Sequence, residues 1–278
     1  MPIAPRLRGS ANRFILTLWT DDPVLAGQAD LAGIDRVGLD LETRGKRERQ
    51  AGLGTWISTH DVERLPEIGS ALTSAELFAR VNPVSSESDD EVRRVLEMGA
   101  RVLMLPMFRD AIEVRRFVDI VAGRATVVLL LETREAAEDI ERICSVEGVG
   151  EVHVGINDLA LSLGLHNRFG VFDSELVESV ASSVRAAGLP FGIGGIGRVD
   201  DATLPIAPDL IYAQYPRLGA TAALISRAFI RPGGDSIQLS DDVAASHARL
   251  TYWRAAGPDT RRQARTEFRM AVERAGSW

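Results

Sequence analysis

Short apolar runs alternate with longer amphipathic segments along most of this chain, and this alternation limits its fold more than any other feature. The apolar runs are dense in Val, Ile and Leu, which is typical of strands buried on both faces. We predict eight strands from them, at residues 14–20, 36–42, 76–82, 101–107, 126–133, 151–158, 190–197 and 210–215. Helical patterns occupy residues 89–99, 110–123, 133–148, 175–188 and 219–229. Repeated strand-then-helix units predict an α/β fold, namely a (β/α)8 TIM barrel.

One motif favours a different α/β fold. The pattern Gly192-x-Gly194-x-x-Gly197 matches the fingerprint of open, doubly wound sheets that bind dinucleotides. It falls at the seventh predicted strand rather than the first, and the residues after it begin a helix poorly. Glycines in a late barrel strand fit a tight turn beside a ligand better, so the open sheet remains the alternative.

The chain's 278 residues are enough for one barrel and an additional segment. We assign residues 1–231 to a barrel domain and residues 232–278 to a hinge followed by a helical C-terminal extension. An extension of this size is too small to build its own core. We therefore expect it to pack on the barrel or on a neighbouring subunit.

Charge and cysteine content narrow the class of protein. A net charge of −7 disfavours a global nucleic-acid-binding surface. The single cysteine, Cys144, excludes an intrachain disulfide framework and suits a reducing compartment. No apolar stretch has the length of a membrane span or a secretory segment. We expect a cytoplasmic protein that binds neither nucleic acid nor a membrane.

Polar side chains follow several of the predicted strands, where a barrel carries its active site. They are Asp40, Glu42, Arg80, Asn82, Glu132, Thr133, Asn157 and Asp158. Clustered carboxylates repel each other unless a cation separates them, and oxygen ligands suit Mg²⁺ or Mn²⁺. No ligand set rich in His or Cys is apparent, which argues against zinc. Glu132 and Asp158, after buried runs on adjacent predicted strands, are the favoured pair.

The segment 129–165 resembles the HpcH/HpaI aldolase and citrate lyase β-subunit family. The resemblance rests on Glu132-Thr133 followed by Gly155-x-x-Asp158-Leu159-x-x-x-x-Gly164. Weaker matches are a D-x-E ending the second strand, an R-x-N/P at the third, and the stretch 99–106 at the fourth. Together they cover roughly residues 12–230.

This resemblance implies a metal-dependent barrel that acts on carbon–carbon bonds next to a 2-oxo acid or an acyl-CoA. Glu132 and Asp158 match the family's metal ligands, and Arg80 matches the arginine that steadies the enolate oxygen. The backbone around Asn157 and Asp158 matches the cradle for the substrate carboxylate. The expected activity is a metal-dependent lyase or aldolase that cleaves or forms a 4-hydroxy-2-oxo acid through a pyruvate-type enolate, with Mg²⁺ or Mn²⁺ as cofactor.

The sequence departs from the family at two positions. Thr43 stands where pyruvate aldolases usually carry a histidine that transfers protons, and Leu130 stands where they tend to carry a glutamine. Threonine is no base near neutral pH without help. We predict that His60, farther along the same loop, supplies the missing acid or base. Lys46 and Arg47, in the same loop, are predicted to bind an anionic part of the substrate.

Two other functions remain open. A CoA-thioester lyase of the citrate lyase β or malyl-CoA lyase type differs in substrate, because it requires CoA binding. A non-catalytic barrel would follow from loss of the proton relay. The partners expected are a small-molecule 2-oxo acid and an aldehyde, or an acyl-CoA. The resemblance also implies a homo-oligomer, and a helix at residues 219–230 would be the element exchanged between subunits.

Overall fold

A computed structural model describes residues 13–46 and 58–276. Eight parallel strands close into a barrel in the order β1 to β8, with β1 paired to β8, which confirms the predicted fold and excludes the open sheet. The strands are β1 Ile15–Trp19, β2 Arg36–Asp40, β3 Glu76–Arg80, β4 Val102–Pro106, β5 Thr126–Leu131, β6 Val149–Val154, β7 Phe191–Ile196 and β8 Ala222–Ile225.

Helices surround the barrel between successive strands. They are α1 Pro23–Leu31, α2 Leu65–Ser70, α3 Ser88–Glu97, α4 Ala111–Val121, α5 Arg134–Glu138, α6 Ile140–Cys144, α7 Ile156–Leu163, α8 Glu175–Ala186, α9 Pro208–Leu218, α10 Ser236–Ala255 and α11 Pro258–Arg274. Short 3₁₀ segments lie at Val62–Arg64, Arg168–Asp173 and Arg227–Phe229. Within the described residues, no helix combines the length and apolar character needed to cross a bilayer.

The prediction for the last strand and helix was wrong. Residues 210–215 lie in α9, and the predicted helix 219–229 contains β8. A short apolar run does not by itself distinguish a strand from a buried helix. Pro208 begins α9 and Gly219 ends it in a left-handed conformation with φ 73°, which are ordinary helix boundary signals.

The sixth strand is shorter than predicted. β6 ends at Val154, and α7 begins at Ile156 after the N-cap residue Gly155. Asn157 and Asp158 therefore lie in the first turn of a helix rather than at a strand end. The apolar run continues through both elements because each is buried, which concealed the boundary in the sequence.

The C-terminal helices pack against the barrel of the same chain. α10 lies along α1 and α9, while α11 contacts α9 and the segment Arg168–Asp173. The Trp253 indole donates a hydrogen bond to Asp209 at 2.7 Å, and the Arg269 Nε donates one to Asp173 at 2.6 Å. The division into domains at residue 231 stays a prediction.

Most of the apolar core lies between the strands and the helices, and a second cluster fills the barrel interior. The interior cluster contains Phe78, Val102, Met104, Val128, Leu130 and Leu224. Because side chains alternate along a strand, Arg80 continues the inward series of Phe78, and Glu132 continues that of Val128 and Leu130. Strand periodicity therefore directs both charged groups to the barrel mouth.

Gly192, the first glycine of the fingerprint motif, serves close packing between neighbouring strands. A Cβ atom on Gly192 would lie 2.4 Å from the imidazole of His153 on the neighbouring strand. His153 is buried there, and its Nε2 lies 3.1 Å from the Glu151 carboxylate. A larger residue at position 192 would displace this ring, so close packing accounts for the glycine.

Candidate active site

Arg80 lies at the centre of a buried ion-pair network at the barrel mouth. Its Nε and Nη2 donate to the two carboxylate oxygens of Asp40 at 2.8 and 2.7 Å. Its Nη1 lies 3.2 Å from Glu42 and 3.7 Å from Glu132. Lys46 extends the network, with its Nζ 2.7 Å from Asp40 and 3.5 Å from Glu42. Two cations thus share three carboxylates within a few ångströms.

The network fixes the protonation of its members. Burial would raise the pKa of Asp40, but the charges and hydrogen bonds of Arg80 and Lys46 hold it well below its usual range. Burial would lower the pKa of Arg80, but Asp40 and Glu42 raise it above its ordinary value. Both groups are therefore charged at neutral pH, and Arg80 is a permanent donor at the mouth.

Trp19 lies against the face of the Arg80 guanidinium. The guanidinium carbon lies 4.4 Å from the centroid of the Trp19 ring, a cation–π distance, and that ring stacks on Phe78 at 6.4 Å. The planar guanidinium is held between the indole and the Asp40 carboxylate. Trp19 was not among the residues predicted from the sequence, although its position at the end of the first strand would have indicated it.

Glu132 is buried at the end of β5, beside the start of α7. A Cβ atom on Gly155 would lie 2.7 Å from Glu132 Oε1 and 2.6 Å from its Cγ, so only glycine leaves room for this carboxylate. The next residue, Thr133, caps α5 by accepting from the Ala136 N–H, and its hydroxyl donates to the Phe108 carbonyl at 2.8 Å. These contacts fix the backbone from which Glu132 projects.

Asn157 and Asp158 present the first turn of α7 to the same cavity. The first backbone N–H groups of a helix have no partner within the helix, and the helix dipole adds positive potential there. This turn is suited to a carboxylate, and its binding of the substrate carboxylate stays a prediction. Asp158 itself is buried and, like Glu132, lines the cavity.

The cavity has a volume of about 370 Å³ and opens at the carboxyl ends of the strands. Its wall includes Asp40, Arg80, Glu132, Asn157 and Asp158, together with Lys46. It also includes two arginines not predicted from the sequence: Arg168, which follows β6 and α7, and Arg227, which lies two residues beyond β8.

The residues at the mouth fit a hard divalent cation. Glu132 directly follows β5 and Asp158 lies in the first turn of α7, so both offer carboxylate oxygens to the cavity, and Gly155 keeps the space around Glu132 open. Mg²⁺ typically takes one or two carboxylates and completes its coordination with water and substrate. Among the described residues no group of three or more His, Cys, Asp or Glu is arranged to hold a metal.

His60 lies beside the network but faces a different cavity. Its Nδ1 accepts a hydrogen bond from the Asp40 N–H at 3.1 Å, and its Nε2 lies 3.8 Å from Asp21. It lines a groove shared with Arg44 and Asn82 rather than the cavity that contains Glu132. Burial lowers the pKa of His60 despite the nearby carboxylates. Its predicted role as acid or base stays a prediction.

The other positions noted in the sequence have clear places, with one exception. Thr43 is exposed, and its backbone N–H donates to the Asn82 side chain at 2.9 Å. Leu130 is buried inside the barrel one layer below Glu132 and reaches the cavity wall. Lys46 is held by Asp40 and Glu42. Arg47 lies outside the described residues, so its predicted contact with substrate stays a prediction.

A closed (β/α)8 barrel with acids and an arginine at the carboxyl ends of its strands defines the class of TIM-barrel proteins that bind small molecules at that mouth. The chain belongs to the HpcH/HpaI aldolase/citrate lyase family, because residues 13–201 match the model of that family. The resemblance drawn from the motifs around Glu132 and Asp158 is thereby confirmed.

Individual relatives agree with this membership. The hydroxypyruvate/pyruvate aldolase of Rhizorhabdus wittichii is 38% identical over 92 residues, 29% of this chain and 37% of the relative. The 4-hydroxy-2-oxo-heptane-1,7-dioate aldolase of Klebsiella pneumoniae is 24% identical over 260 residues, 80% of this chain and 91% of the relative. The chain thus spans little more than a third of the Rhizorhabdus aldolase.

The fold is similar to that of a solved structure. The HpcH/HpaI aldolase/citrate lyase family protein from Burkholderia cenocepacia superimposes with a TM-score of 0.60 at 20% identity, covering 87% of this chain and 95% of that one. At this identity the likeness concerns the fold.

Proposed function

We propose that this protein is a divalent-metal-dependent aldolase that cleaves or forms a 4-hydroxy-2-oxo acid through a pyruvate-type enolate. The observation that carries the proposal is the meeting of Arg80 and Glu132, whose Nη1 and Oε1 lie 3.7 Å apart in a cavity that Asp158 also lines. A permanent cation and two acids in one cavity suit a reaction in which negative charge develops on a carbonyl oxygen.

The acidic residues and the arginine of the cavity have different proposed roles. Glu132 and Asp158 would hold Mg²⁺ or Mn²⁺, which supplies Lewis-acid stabilisation of the enolate when bound. Arg80 directs its guanidinium at the keto oxygen, and Asp40 keeps that guanidinium in plane through two hydrogen bonds. The first turn of α7 receives the carboxylate of the 2-oxo acid through its backbone N–H groups.

Proton transfer is proposed for His60. Because Nδ1 accepts from the Asp40 N–H, the neutral ring carries its proton on Nε2. To reach the substrate the ring must turn toward the mouth and leave the Asp40 N–H, and there it would act as the acid or base. The neighbouring Thr43 donates to Asn82 and offers no base.

The relatives support this choice of substrate class. Two of them, from Rhizorhabdus wittichii and Klebsiella pneumoniae, are named as aldolases of hydroxypyruvate/pyruvate and of a 4-hydroxy-2-oxo dioate. Lys46 adds to this support, because it pairs with Asp40 and Glu42 and would have to leave both to bind a phosphate of CoA.

The test is exchange of the C3 protons of pyruvate in D₂O, followed by NMR with Mg²⁺ or Mn²⁺ and then with EDTA. Glu132→Gln and Asp158→Asn are compared with Glu138→Gln, an exposed acid on α5. Binding of Mn²⁺, followed by electron paramagnetic resonance, gives a readout independent of turnover. We expect exchange that needs the metal, Glu132 and Asp158 but not Glu138.

Two outcomes contradict the proposal. Absence of exchange with Mn²⁺ and pyruvate both bound would exclude the pyruvate enolate and direct attention to CoA thioesters. Absence of Mn²⁺ binding together with absence of exchange would favour a non-catalytic barrel.

We also propose a homo-oligomer located in the cytoplasm. The segment 219–230 is not the exchanged helix expected from the sequence, because β8 occupies Ala222–Ile225 within it. Candidates for intersubunit contact are the C-terminal helices α10 and α11. Light scattering at micromolar concentration tests the assembly, and a monomer would overturn it.

A further inference from the structure

Arg168 is a cation in the cavity whose charge the described protein does not neutralise. It opens the 3₁₀ segment Arg168–Asp173 and is half-buried in the cavity wall. Its guanidinium carbon lies 5.3 Å from the centroid of the Phe169 ring. Across residues 13–46 and 58–276, no hydrogen bond or ion pair joins Arg168 to another group.

The contrast with the other cations of the mouth is clear. Arg80 and Lys46 are each within hydrogen-bond distance of Asp40. Burial lowers the pKa of Arg168, and no carboxylate offsets that effect. Partial burial of a cation without a counter-ion is unfavourable, because the cation loses part of its hydration. A bound anion would offset part of that free-energy cost.

Arg168 lies across the barrel from Asp40 and Lys46, on the side of β6 that also carries Asp158. In a closed barrel of eight strands, β6 lies four strands from β2 and hence on the opposite side. Arg168 follows β6 and α7, whereas Asp40 and Lys46 follow β2. The proposed contacts of the 2-oxo acid use Arg80 and the backbone of α7, which leaves the Arg168 side chain for another anionic group. The cavity wall also includes the apolar side chains of Phe169, Leu204 and Ile225, which suit a short methylene chain.

We infer that Arg168 binds an anionic group at the far end of the aldehyde substrate, so that the enzyme prefers anionic aldehydes to neutral ones. This inference rests on the proposed aldolase function, and it makes Arg168 a residue that determines specificity. A planar guanidinium on an aromatic ring offers two parallel N–H groups to a carboxylate or a phosphate. Arg227 also lines the cavity, but it lies within electrostatic range of Asp40 and Arg80 and so belongs to the other side of the mouth.

The experiment measures kcat/KM for aldol addition of pyruvate to matched aldehydes with Mg²⁺. Succinic semialdehyde and butanal differ in a terminal carboxylate, and glycolaldehyde phosphate tests a phosphate. For Arg168→Met we expect the ratio of anionic to neutral kcat/KM to fall by about ten- to a hundredfold, the usual range for a lost charged hydrogen bond. Arg168→Lys should retain part of the preference. The wild-type preference should weaken as ionic strength rises, and that of Arg168→Met should not.

Control variants distinguish failure of the Arg168 inference from failure of the aldolase proposal. Arg115→Met removes an exposed arginine from α4 and should leave the ratio unchanged. An equal loss for anionic and neutral aldehydes in Arg168→Met, or a wild type without any preference, would overturn the inference alone. A fall in pyruvate proton exchange as large as the fall with the anionic aldehyde would assign Arg168 to the 2-oxo acid instead and also overturn it. Absence of exchange in the wild type would remove the aldolase proposal and this inference with it.

Discussion

Arg80 donates to both carboxylate oxygens of Asp40, with Nε 2.8 Å from Oδ1 and Nη2 2.7 Å from Oδ2. The two residues are paired across neighbouring strands, since Asp40 on β2 is in register with Arg80 on β3. The pairing leaves Nη1 to point toward Glu132 and the centre of the mouth. Asp40 therefore fixes the orientation of the Arg80 guanidinium.

Arg80→Lys should lower the rate of pyruvate proton exchange by about a hundredfold or more, by comparison with loss of a donor from an oxyanion hole. Lysine keeps the charge but loses the planar pairing with Asp40 and the stacking on Trp19. Exchange is followed by NMR and folding by circular dichroism. Arg115→Lys is the matched surface control, and an unchanged rate in Arg80→Lys would remove Arg80 from the mechanism.

Glu151→Gln should lower the free energy of unfolding at pH 7 by about 3–5 kcal/mol, because it leaves Arg36 buried without its main partner. In the wild type, Glu151 accepts from Arg36 Nη1 at 2.8 Å inside the barrel. The remaining partner, Glu76, lies 3.2 Å from Arg36 and is more exposed. Chemical denaturation of both proteins measures the difference, and Glu138→Gln serves as the exposed control.

The ion pair between Glu151 and Arg36 also makes the free energy of unfolding depend on pH. Burial would raise the pKa of Glu151, but Arg36 holds it well below its usual range. The unfolded chain then takes up a proton near the ordinary glutamate pKa of about 4.3, at a pH where the folded protein does not. The stabilisation is complete above that pH and is lost as the pH falls below it. The gap between wild type and Glu151→Gln should narrow over this range, and a constant gap would contradict the assignment.

Gly155→Ala should weaken Mn²⁺ binding by about ten- to a hundredfold, as changes that displace a metal ligand do. The added Cβ atom would lie 2.7 Å from Glu132 Oε1, so the carboxylate must move. Gly27→Ala is the control, because its Cβ atom would meet Ala71 at an ordinary 3.5 Å. Titration by electron paramagnetic resonance measures the affinity. Equal affinities in the two variants would show that Glu132 tolerates displacement.

His60→Gln should lower kcat/KM for the aldol reaction by about a hundredfold and remove one limb of its pH profile. Because burial lowers the pKa of His60, that limb should lie below the ordinary histidine value of about 6.5. His166→Gln, at an exposed histidine, is the control. Wild-type turnover with an unshifted profile would exclude His60 from proton transfer.

The sequence determined the barrel and most of its boundaries, because buried strands and amphipathic helices differ in period and composition. The predicted boundaries were wrong where a buried helix and a buried strand have the same apolar composition. Residues 210–215 form an apolar run in a helix that α10 and α11 cover, so its polar face is missing. Residues 155–158 continue a buried strand directly into a buried helix turn, so no polar break marks the boundary.

The sequence also determined which acids and which arginine to examine, since the alternation of side chains along a strand carries Glu132 and Arg80 to the barrel mouth. Only the tertiary structure decided their partners. Lys46 pairs with Asp40, Trp19 stacks against Arg80, and His60 faces a separate groove. Arg168 could be recognised only from the tertiary structure, because the sequence does not show which charged groups lie near its side chain. Contacts between residues distant in the chain depend on barrel closure and register, and one sequence records neither.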